Sequence, residues 1–277
     1  MLNFLHTFHP DPVLASFAGI TVNWYGFFIV TGIILAILTA IKLGSYYKID
    51  KDTVFDLSFW LLISGMIGAR LYHVFLEFPY YIENPEQTIK LWQGGLAIHG
   101  GLIAGILVLY IFTRKKKINF WKMGAILAPG IALAQAVGRW GNYFNQELFG
   151  KPTDLPWGIP IEATHRPMEY ISSQYFHPTF LYESLGNLII FLILINLHIY
   201  LIKKNNIKNL YFFIIIMLYL ILYSILRFTT EIIRIDETPL ILGLRAPQVA
   251  SIVIISIAVI LLITPLIKKR ILTSKEE

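Results

Sequence analysis

The residues best suited to chemistry lie close together in the segment 138–150. This segment holds Arg139, Asn142, Asn145 and Glu147 among glycines and aromatic residues. A guanidinium group can bind a phosphate or a carboxylate through two parallel hydrogen bonds, and amide or carboxylate groups beside it can orient it. The glycines predict an irregular backbone that lines a polar cavity. We therefore expect these side chains to surround an anionic group, with a capped turn as the simpler alternative.

A second group of polar residues follows helical spacing. Arg227, Glu231 and Arg234 stand at positions i, i+4 and i+7, and Tyr223 precedes Arg227 by four residues. This spacing places the four side chains along one stripe of a helix. A ladder of surface ion pairs would explain such a stripe, but this one ends an apolar run that is long enough to lie in lipid. We therefore favour anion binding by the arginines.

Arg70 and His99 are two further candidates. His99 lies in a glycine-rich stretch, and histidine is the side chain best suited to accept a proton near neutral pH. A hydrogen-bonded packing role is the alternative. Arg70 either helps to bind the anion or, like Arg227, is a structural charge that reaches the membrane surface or pairs with Glu77 or Glu231. The seven histidines lack the spacing of a metal site, so we expect no bound metal.

The composition indicates which elements must position these residues. Apolar residues make up 56% of the 277 and charged residues 14%, with a mean hydropathy of +0.63, which is too apolar for a soluble domain of this length. Seven apolar runs approach the length that crosses hydrocarbon. They lie at about 20–41, 54–76, 95–113, 121–137, 178–202, 210–230 and 247–267. We therefore expect an all-α, polytopic membrane protein with about seven transmembrane helices.

The basic residues predict the orientation of these helices. Fifteen of the 23 lysines and arginines lie in short clusters in alternate loops, at 42–51, 114–122, 203–208 and 268–275. By the positive-inside rule these clusters are cytoplasmic, so the N-terminus is outside and the C-terminus inside. The other eight basic residues are Arg70, Lys90, Arg139, Lys151, Arg166, Arg227, Arg234 and Arg245. Most of these are arginine, whereas the cytoplasmic clusters are mostly lysine, so we expect the outer side to bind an anion.

Two classes of function are disfavoured by the composition. The net charge of +6 does not indicate a nucleic-acid ligand, because the basic residues form short clusters between apolar runs rather than one amphipathic stripe. The chain has no cysteine, so any thiol chemistry must come from a substrate.

The stretch 138–177 is the longest one without a predicted transmembrane helix. It contains four prolines, which favour turns over helix: Pro152, Pro156, Pro160 and Pro167. We expect it to form a small extracytoplasmic cap, inserted into a single integral membrane catalytic domain that covers residues 1–277.

Five short motifs occur along the chain between Tyr25 and the last outer loop. They are G-R-x-G-N-F/Y-x-N-x-E-x-x-G at 138–150, G-A-R-L at 68–71, H-G-G at 99–101, H-P-T-x-L-Y-E at 177–183 and R-F-x-x-E-x-x-R at 227–234. In combination they resemble the bacterial prolipoprotein diacylglyceryl transferase family. H-G-G alone would be a weak signal, but the set is highly specific. One departure is Phe180, where family members often carry glutamine.

The resemblance implies an enzyme that transfers the diacylglyceryl group of phosphatidylglycerol to the lipobox cysteine thiol of a prolipoprotein, the first step of lipoprotein maturation. The product is a thioether, and glycerol phosphate leaves. The resemblance implies no cofactor, and its partners are phosphatidylglycerol, the lipobox peptide and the lipid bilayer. It places the protein in the bacterial cytoplasmic membrane, with the active site toward the outer leaflet.

For this reaction we assign catalytic roles to His99, Arg139 and Arg227. His99 would accept the thiol proton, and the two arginines would bind the phosphate. The predicted substrate-binding residues are Tyr25, Arg70, Asn142, Asn145, Glu147, Gly150, Tyr223, Glu231 and Arg234. Among them the two glutamates would orient the arginines, Asn142 would bind headgroup atoms, and the tyrosines would donate hydrogen bonds.

Two other classes of function remain open at this point. An anion or lipid transporter could also line its path with arginines, but it would favour repeated halves and ionisable groups that reach the inner leaflet. A structural or partner-binding membrane protein would not explain six arginines with matching acidic residues on one side. Both alternatives fit the sequence less well than a transferase.

Overall fold

The computed structural model describes residues 2–17, 19–204 and 208–273, and most of its regular structure is helical. The α-helices are α1 (Leu2–Thr7), α2 (Trp24–Tyr46), α3 (Lys51–Leu76), α4 (Phe78–Glu83), α5 (Ile98–Lys115), α6 (Phe120–Phe144), α7 (Thr179–Lys203), α8 (Asn209–Glu231) and α9 (Ala246–Thr273). The strands are β1 (Val13–Phe17), β2 (Ile20–Asn23), β3 (Ile159–Pro160), β4 (Tyr175–Phe176), β5 (Leu240–Ile241) and β6 (Leu244–Arg245). Successive strands pair into three antiparallel, two-stranded sheets.

Seven of the helices, α2, α3 and α5 to α9, are long and apolar enough to cross a membrane. This confirms the prediction of an all-α, polytopic membrane protein. Large apolar side chains on their outer surfaces are well exposed, as Leu71 and Ile103 illustrate. Such surfaces are stable only where the surrounding solvent is hydrocarbon.

Helix α6 is longer than the sequence predicted. The predicted end at Val137 is wrong, and so is the irregular backbone predicted for the first residues after it, because the helix continues to Phe144. A glycine inside a helix costs about 1 kcal/mol relative to alanine. At Gly141, however, a Cβ would lie only 2.9 Å from the ring of Tyr25, so the glycine allows α6 and α2 to pack closely. This packing offsets the low helix propensity of the segment.

The chain divides into two compact parts, residues 1–39 with 127–277, and residues 40–126. In the first part, α8 packs against α7 and α9. Small residues bring α2 and α6 together, since Gly32 lies against the backbone of Ala134 and Gly130 against that of Ala36. In the second part, α3 packs along α5.

Residues 145–178 connect α6 to α7 around a small apolar core. The core residues are Leu5, Tyr143, Phe149, Ile159, Ile161, Phe176 and Phe180. Ile159 and Phe176 are opposite each other in the β3–β4 sheet, and α1 packs against β3. The ring of Phe180 stacks on that of Tyr143, with centroids 4.5 Å apart. This core fixes the beginning of α7 relative to the end of α6.

Candidate active site

Three helices of the first part place two arginines on one carboxylate. Arg139 lies near the end of α6, Glu183 near the beginning of α7 and Arg227 near the end of α8. Nε of Arg139 is 2.5 Å from Oε2 of Glu183, and Nη1 of Arg227 is 3.2 Å from Oε1 of Glu183. Only 4% of the Glu183 side chain is exposed. A carboxylate buried this deeply is stable only because guanidinium groups compensate its charge.

Glu231 is a second carboxylate shared by several arginines, and it is completely buried. Its Oε2 is 2.7 Å from Nη2 of Arg227, and its Oε1 is 2.7 Å from Nε of Arg245. Arg227 therefore bridges Glu183 and Glu231. Two of its nitrogens are fixed in orientation by these carboxylates.

Arg234 and Asp236 complete the group. Nη1 of Arg234 is 3.4 Å from Oε1 of Glu183, and its Nε is 2.7 Å from Oδ1 of Asp236. Nη2 of Arg245 is 3.5 Å from Oδ2 of Asp236. We call the seven residues the ionic cluster: Arg139, Glu183, Arg227, Glu231, Arg234, Asp236 and Arg245. Its guanidinium groups outnumber its carboxylates by one.

The loop residues of the ionic cluster stabilise each other's charged forms. Burial would raise the pKa of Asp236, but the hydrogen bond from Arg234 and the charges of Arg234 and Arg245 outweigh it, so this pKa lies below its ordinary value. Burial would lower the pKa of Arg234, but the hydrogen bond to Asp236 and the nearby carboxylates raise it above its ordinary value. Both groups are therefore charged at neutral pH.

The residues that follow Arg139 form a polar chain. Nη1 of Arg139 donates to Oδ1 of Asn142 over 3.4 Å, and Nδ2 of Asn142 donates to Oε1 of Glu147 over 2.7 Å. Nδ2 of Asn145 reaches the same oxygen of Glu147 over 3.4 Å. Glu147 is thus linked to Arg139 through an amide group rather than by an ion pair. The structure brings together all four polar residues that the sequence singled out in this segment.

Gly150 connects this segment to the loop after α8. Its backbone forms a bridge with that of Arg234, and its N–H donates to the carbonyl of His177 over 2.9 Å. A Cβ at this position would lie 2.7 Å from the side chain of Ile233 and 2.8 Å from that of His177. The site therefore leaves no room for a larger residue, and the glycine helps to hold the backbone of Arg234.

The two candidate tyrosines occupy different positions around the cluster. Tyr25, near the beginning of α2, packs against Gly141, and its hydroxyl lies close enough to Glu147 and Arg139 to interact with them electrostatically. Tyr223 lies one turn before Arg227, and its ring stacks on that of Tyr219 at 6.1 Å. Both tyrosines are partly accessible at their positions on the helices.

Arg70, in the second part, is buried; its N–H groups donate to backbone carbonyl groups, and its guanidinium carbon lies 5.2 Å from the ring centroid of Tyr81. Its Nε donates to the carbonyl of Thr88, and Nη1 donates to those of Gly94 and Gly95, over 2.7 to 2.9 Å. Nη2 donates to the carbonyls of Gln87 and Lys90. The alternative prediction of an ion pair with Glu77 or Glu231 is wrong for Arg70, whereas Arg227 does pair with Glu231. All five N–H groups of Arg70 donate hydrogen bonds. One buried guanidinium group thus satisfies several carbonyl groups that are not paired in a helix or a sheet.

His99 is the second residue of α5 and is exposed. Its ring lies 6.0 Å from that of Tyr72 on α3, in a tilted arrangement. The position leaves the imidazole accessible to a substrate. His99 and Arg70 belong to the compact part 40–126, whereas the other predicted site residues belong to the first part.

Comparison with known proteins identifies the family. The model of the prolipoprotein diacylglyceryl transferase family matches residues 12–264. The chain belongs to the prolipoprotein diacylglyceryl transferase family.

Relatives of similar length are named phosphatidylglycerol–prolipoprotein diacylglyceryl transferase. The protein from Finegoldia magna is 42% identical over 268 residues, which cover 96% of this chain and 100% of the relative. The protein from a Nostoc species is 42% identical over 252 residues, which cover 90% of this chain and 87% of the relative. The protein from Staphylococcus aureus is 40% identical over 263 residues, with 93% and 90% covered.

In this diacylglyceryl transferase family member, three residues of the ionic cluster were not predicted from the sequence. Glu183 lies within the motif at 177–183, and a lone carboxylate at the start of an apolar helix requires a charged partner, so it could have been proposed as a site residue. Asp236 and Arg245 lie in or beside the loop between α8 and α9, where no helical spacing relates them to the cluster. Only the fold of that loop reveals them.

Exposure separates the arginines of this transferase family member. The side chains of Arg139, Arg227 and Arg245 are 20%, 19% and 20% exposed, whereas that of Arg234 is 4% exposed. Arg139 and Arg227 can therefore present part of their guanidinium groups to an anion from outside the cluster. The burial of Arg234 favours a supporting role, in which its charge adds to the positive field and its backbone fixes the loop.

Proposed function

We propose that this protein transfers the diacylglyceryl group of phosphatidylglycerol to the lipobox cysteine of prolipoproteins, with Arg139 and Arg227 binding the lipid phosphate. The observation that carries the assignment of the two arginines is their shared contact with Glu183, at 2.5 and 3.2 Å. Two guanidinium groups on one carboxylate are close enough to bind one phosphate. The family membership and the named relatives support the reaction itself.

In the proposed reaction the cysteine sulfur attacks the glycerol carbon that carries the phosphate ester. The new C–S bond forms as the C–O bond to phosphate breaks, and the electron pair of that bond leaves with glycerol phosphate. The phosphate gains one negative charge as it leaves, so positive groups stabilise the transition state more than the bound lipid. Each charge-assisted hydrogen bond from Arg139 or Arg227 contributes about 1.5 to 3 kcal/mol.

The thiol proton needs an acceptor, since a free cysteine with a pKa of about 8.5 is only slightly ionised at neutral pH. We assign this role to His99, whose exposed position on α5 supports access to a substrate. Glu147 and Glu231 orient the arginines, and Asn142, between Arg139 and Glu147, binds headgroup atoms. Tyr25 and Tyr223 donate hydrogen bonds at the membrane surface. Asn145 and Gly150 also belong to the proposed substrate-binding site.

We propose that the whole chain acts as one catalytic domain in the bacterial cytoplasmic membrane. The lysine-rich clusters favour a cytoplasmic C-terminus and an external N-terminus. In this orientation the ionic cluster faces the outer leaflet, and residues 145–177 form a cap above it. The substrates are then a phospholipid of that leaflet and an exported peptide, with no role for nucleic acid or a cofactor.

The activity is tested by mixing the purified protein in proteoliposomes with radiolabelled phosphatidylglycerol and a lipobox peptide. We expect label to move to the peptide that contains cysteine and not to a matched peptide with serine in its place. Movement of the lipid across the bilayer without any transfer to the peptide would contradict the proposal and favour a transporter.

The proton acceptor is tested separately with His99→Gln. We expect transfer to fall by at least about a hundredfold, because general base catalysis contributes about 10² to 10⁴. Near-normal transfer by this variant would exclude His99 as the base and favour ionisation of the thiol by the arginine field alone.

A further inference from the structure

The five hydrogen bonds of Arg70 converge on a segment that has little regular structure. Residues 84–97 contain only two short 3₁₀ turns, at Pro85–Ile89 and Leu91–Gln93. Arg70 contacts this segment at five residues, and we call the arginine with these carbonyls the Arg70 network: Gln87, Thr88, Lys90, Gly94 and Gly95. The guanidinium group is therefore the main polar centre around which this segment is organised.

Two glycines make this convergence possible. Gly94 has φ of +87° and Gly95 has φ of +69°, a left-handed conformation that disfavours residues with a Cβ. Their conformation lets two successive carbonyls turn toward Nη1 of Arg70. A Cβ on Gly95 would lie 2.5 Å from that nitrogen and 2.7 Å from the ring of His73, whereas a Cβ on Gly94 would meet nothing within 4 Å.

The segment ends at the helix that carries His99. The N–H of Ala97 donates to the carbonyl of Ala69, the neighbour of Arg70, over 3.0 Å. One turn later Gly100 lies directly against the backbone of Gly68. The beginning of α5 is thus fixed to α3 on both sides of His99, and the Arg70 network fixes the chain that leads into it.

We infer that Arg70 is a positioning residue, which holds the segment 84–97 so that α5 presents His99 to the substrate. The inference rests on the proposed function, in which His99 accepts the thiol proton. Arg70 has no N–H group left for a lipid phosphate, so its effect on the reaction passes through the backbone. This differs from the headgroup binding that the sequence predicted for it.

The test compares Arg70→Met with Arg70→Lys in the proteoliposome transfer assay and in amide hydrogen exchange. Methionine keeps an unbranched apolar side chain but donates no hydrogen bond, so we expect faster exchange across 84–99. The transfer rate at saturating lipid should fall by about tenfold to a hundredfold, as misplacement of a catalytic group does, while KM for phosphatidylglycerol changes little. Lysine has three N–H donors, so Arg70→Lys should retain part of the exchange protection of 84–99 and part of the transfer rate.

Arg166 offers a matched control. Its Nε and Nη1 donate to the carbonyls of Ile161 and Ile171 over 2.8 and 2.9 Å, so it also binds backbone, but in the segment 145–178. Arg166→Met should change exchange near residues 161–171 and leave the exchange of 84–99 as in the wild type. A general loss of stability through any missing arginine would instead affect both segments in both variants.

A second pair of variants applies if Arg70→Met does not fold. Gly95→Ala and Gly94→Ala each place a Cβ at a positive φ, but only the former displaces Nη1 of Arg70. We expect Gly95→Ala to impair exchange protection and the rate at saturating lipid clearly more than Gly94→Ala. Equal effects of the two would overturn the inference, as would an Arg70 variant that raises KM alone, since that result indicates direct lipid binding. Absence of transfer by the wild type would instead refute the proposed function and leave the exchange results valid.

Discussion

Arginines in the two parts of the molecule have different partners. In the ionic cluster, Arg139 and Arg227 face carboxylates, Glu183 and Glu231. In the part 40–126, the five N–H groups of Arg70 donate to backbone carbonyl groups of residues 87–95. The guanidinium groups of Arg139 and Arg227 are paired with carboxylates but can still attract another anion. At Arg70, five carbonyl groups occupy every N–H donor of the guanidinium group. The first arrangement therefore suits substrate binding, and the second suits the positioning of backbone.

The largest effect should come from the carboxylate that the arginines share. Glu183→Ala leaves three guanidinium groups facing each other without their common partner, and breaking a buried ion pair in this way costs about 3 to 5 kcal/mol. We expect a large drop in thermal stability of the protein in detergent, measured by the unfolding midpoint, together with loss of transfer. A variant that unfolds at the wild-type temperature would show that Glu183 does not hold the cluster together.

The next effect is on activity rather than folding. Arg139→Lys keeps the charge but loses the planar group that contacts Glu183 and Asn142 at once. We expect kcat for diacylglyceryl transfer to fall by about 10² to 10³, the usual result of removing one donor that stabilises a developing anion. Arg166→Lys, on an arginine that binds carbonyl groups, is the control and should retain normal kcat. Full activity of Arg139→Lys would mean that charge alone is sufficient.

A smaller effect follows from the lowered pKa of Asp236. Because this pKa is lower in the folded protein than its ordinary value of 3.8, the group stabilises the fold above about pH 4 and this contribution is lost as the pH falls through the folded value. We expect the unfolding midpoint of the wild type to decrease more steeply below about pH 4 than that of Asp236→Asn. Parallel curves for the two proteins would show that Asp236 does not titrate with folding.

The smallest effect should be at an exposed ion pair. Nζ of Lys116 lies 3.4 Å from Oδ2 of Asp56, and about half of each side chain is exposed. Asp56→Asn should therefore change the free energy of unfolding by less than about 1 kcal/mol and leave transfer unchanged. A loss of stability as large as that expected for Glu183→Ala would contradict the distinction between buried and exposed ion pairs.

The sequence predicted the seven long helices well, since apolar length is a property of each segment by itself. It also singled out Arg227, because an arginine at the end of an apolar helix requires a partner, and Arg139, because it lies among glycines and polar residues that follow one. It did not predict the partners of Arg70, since every residue carries a carbonyl group and only the path of the chain decides which ones converge. The continuation of α6 to Phe144 was missed for a similar reason, because the contact of Gly141 with Tyr25 is tertiary.

The most direct test of the account compares binding of phosphatidylglycerol with binding of diacylglycerol, which lacks the phosphate. Native mass spectrometry would measure both affinities for the wild type, Arg139→Lys and Arg227→Lys. We expect each variant to bind phosphatidylglycerol at least about tenfold more weakly, the equivalent of one charge-assisted hydrogen bond, and to bind diacylglycerol as the wild type does. If both lipids were weakened equally, or neither, then Arg139 and Arg227 would not bind the phosphate and the central claim would be wrong.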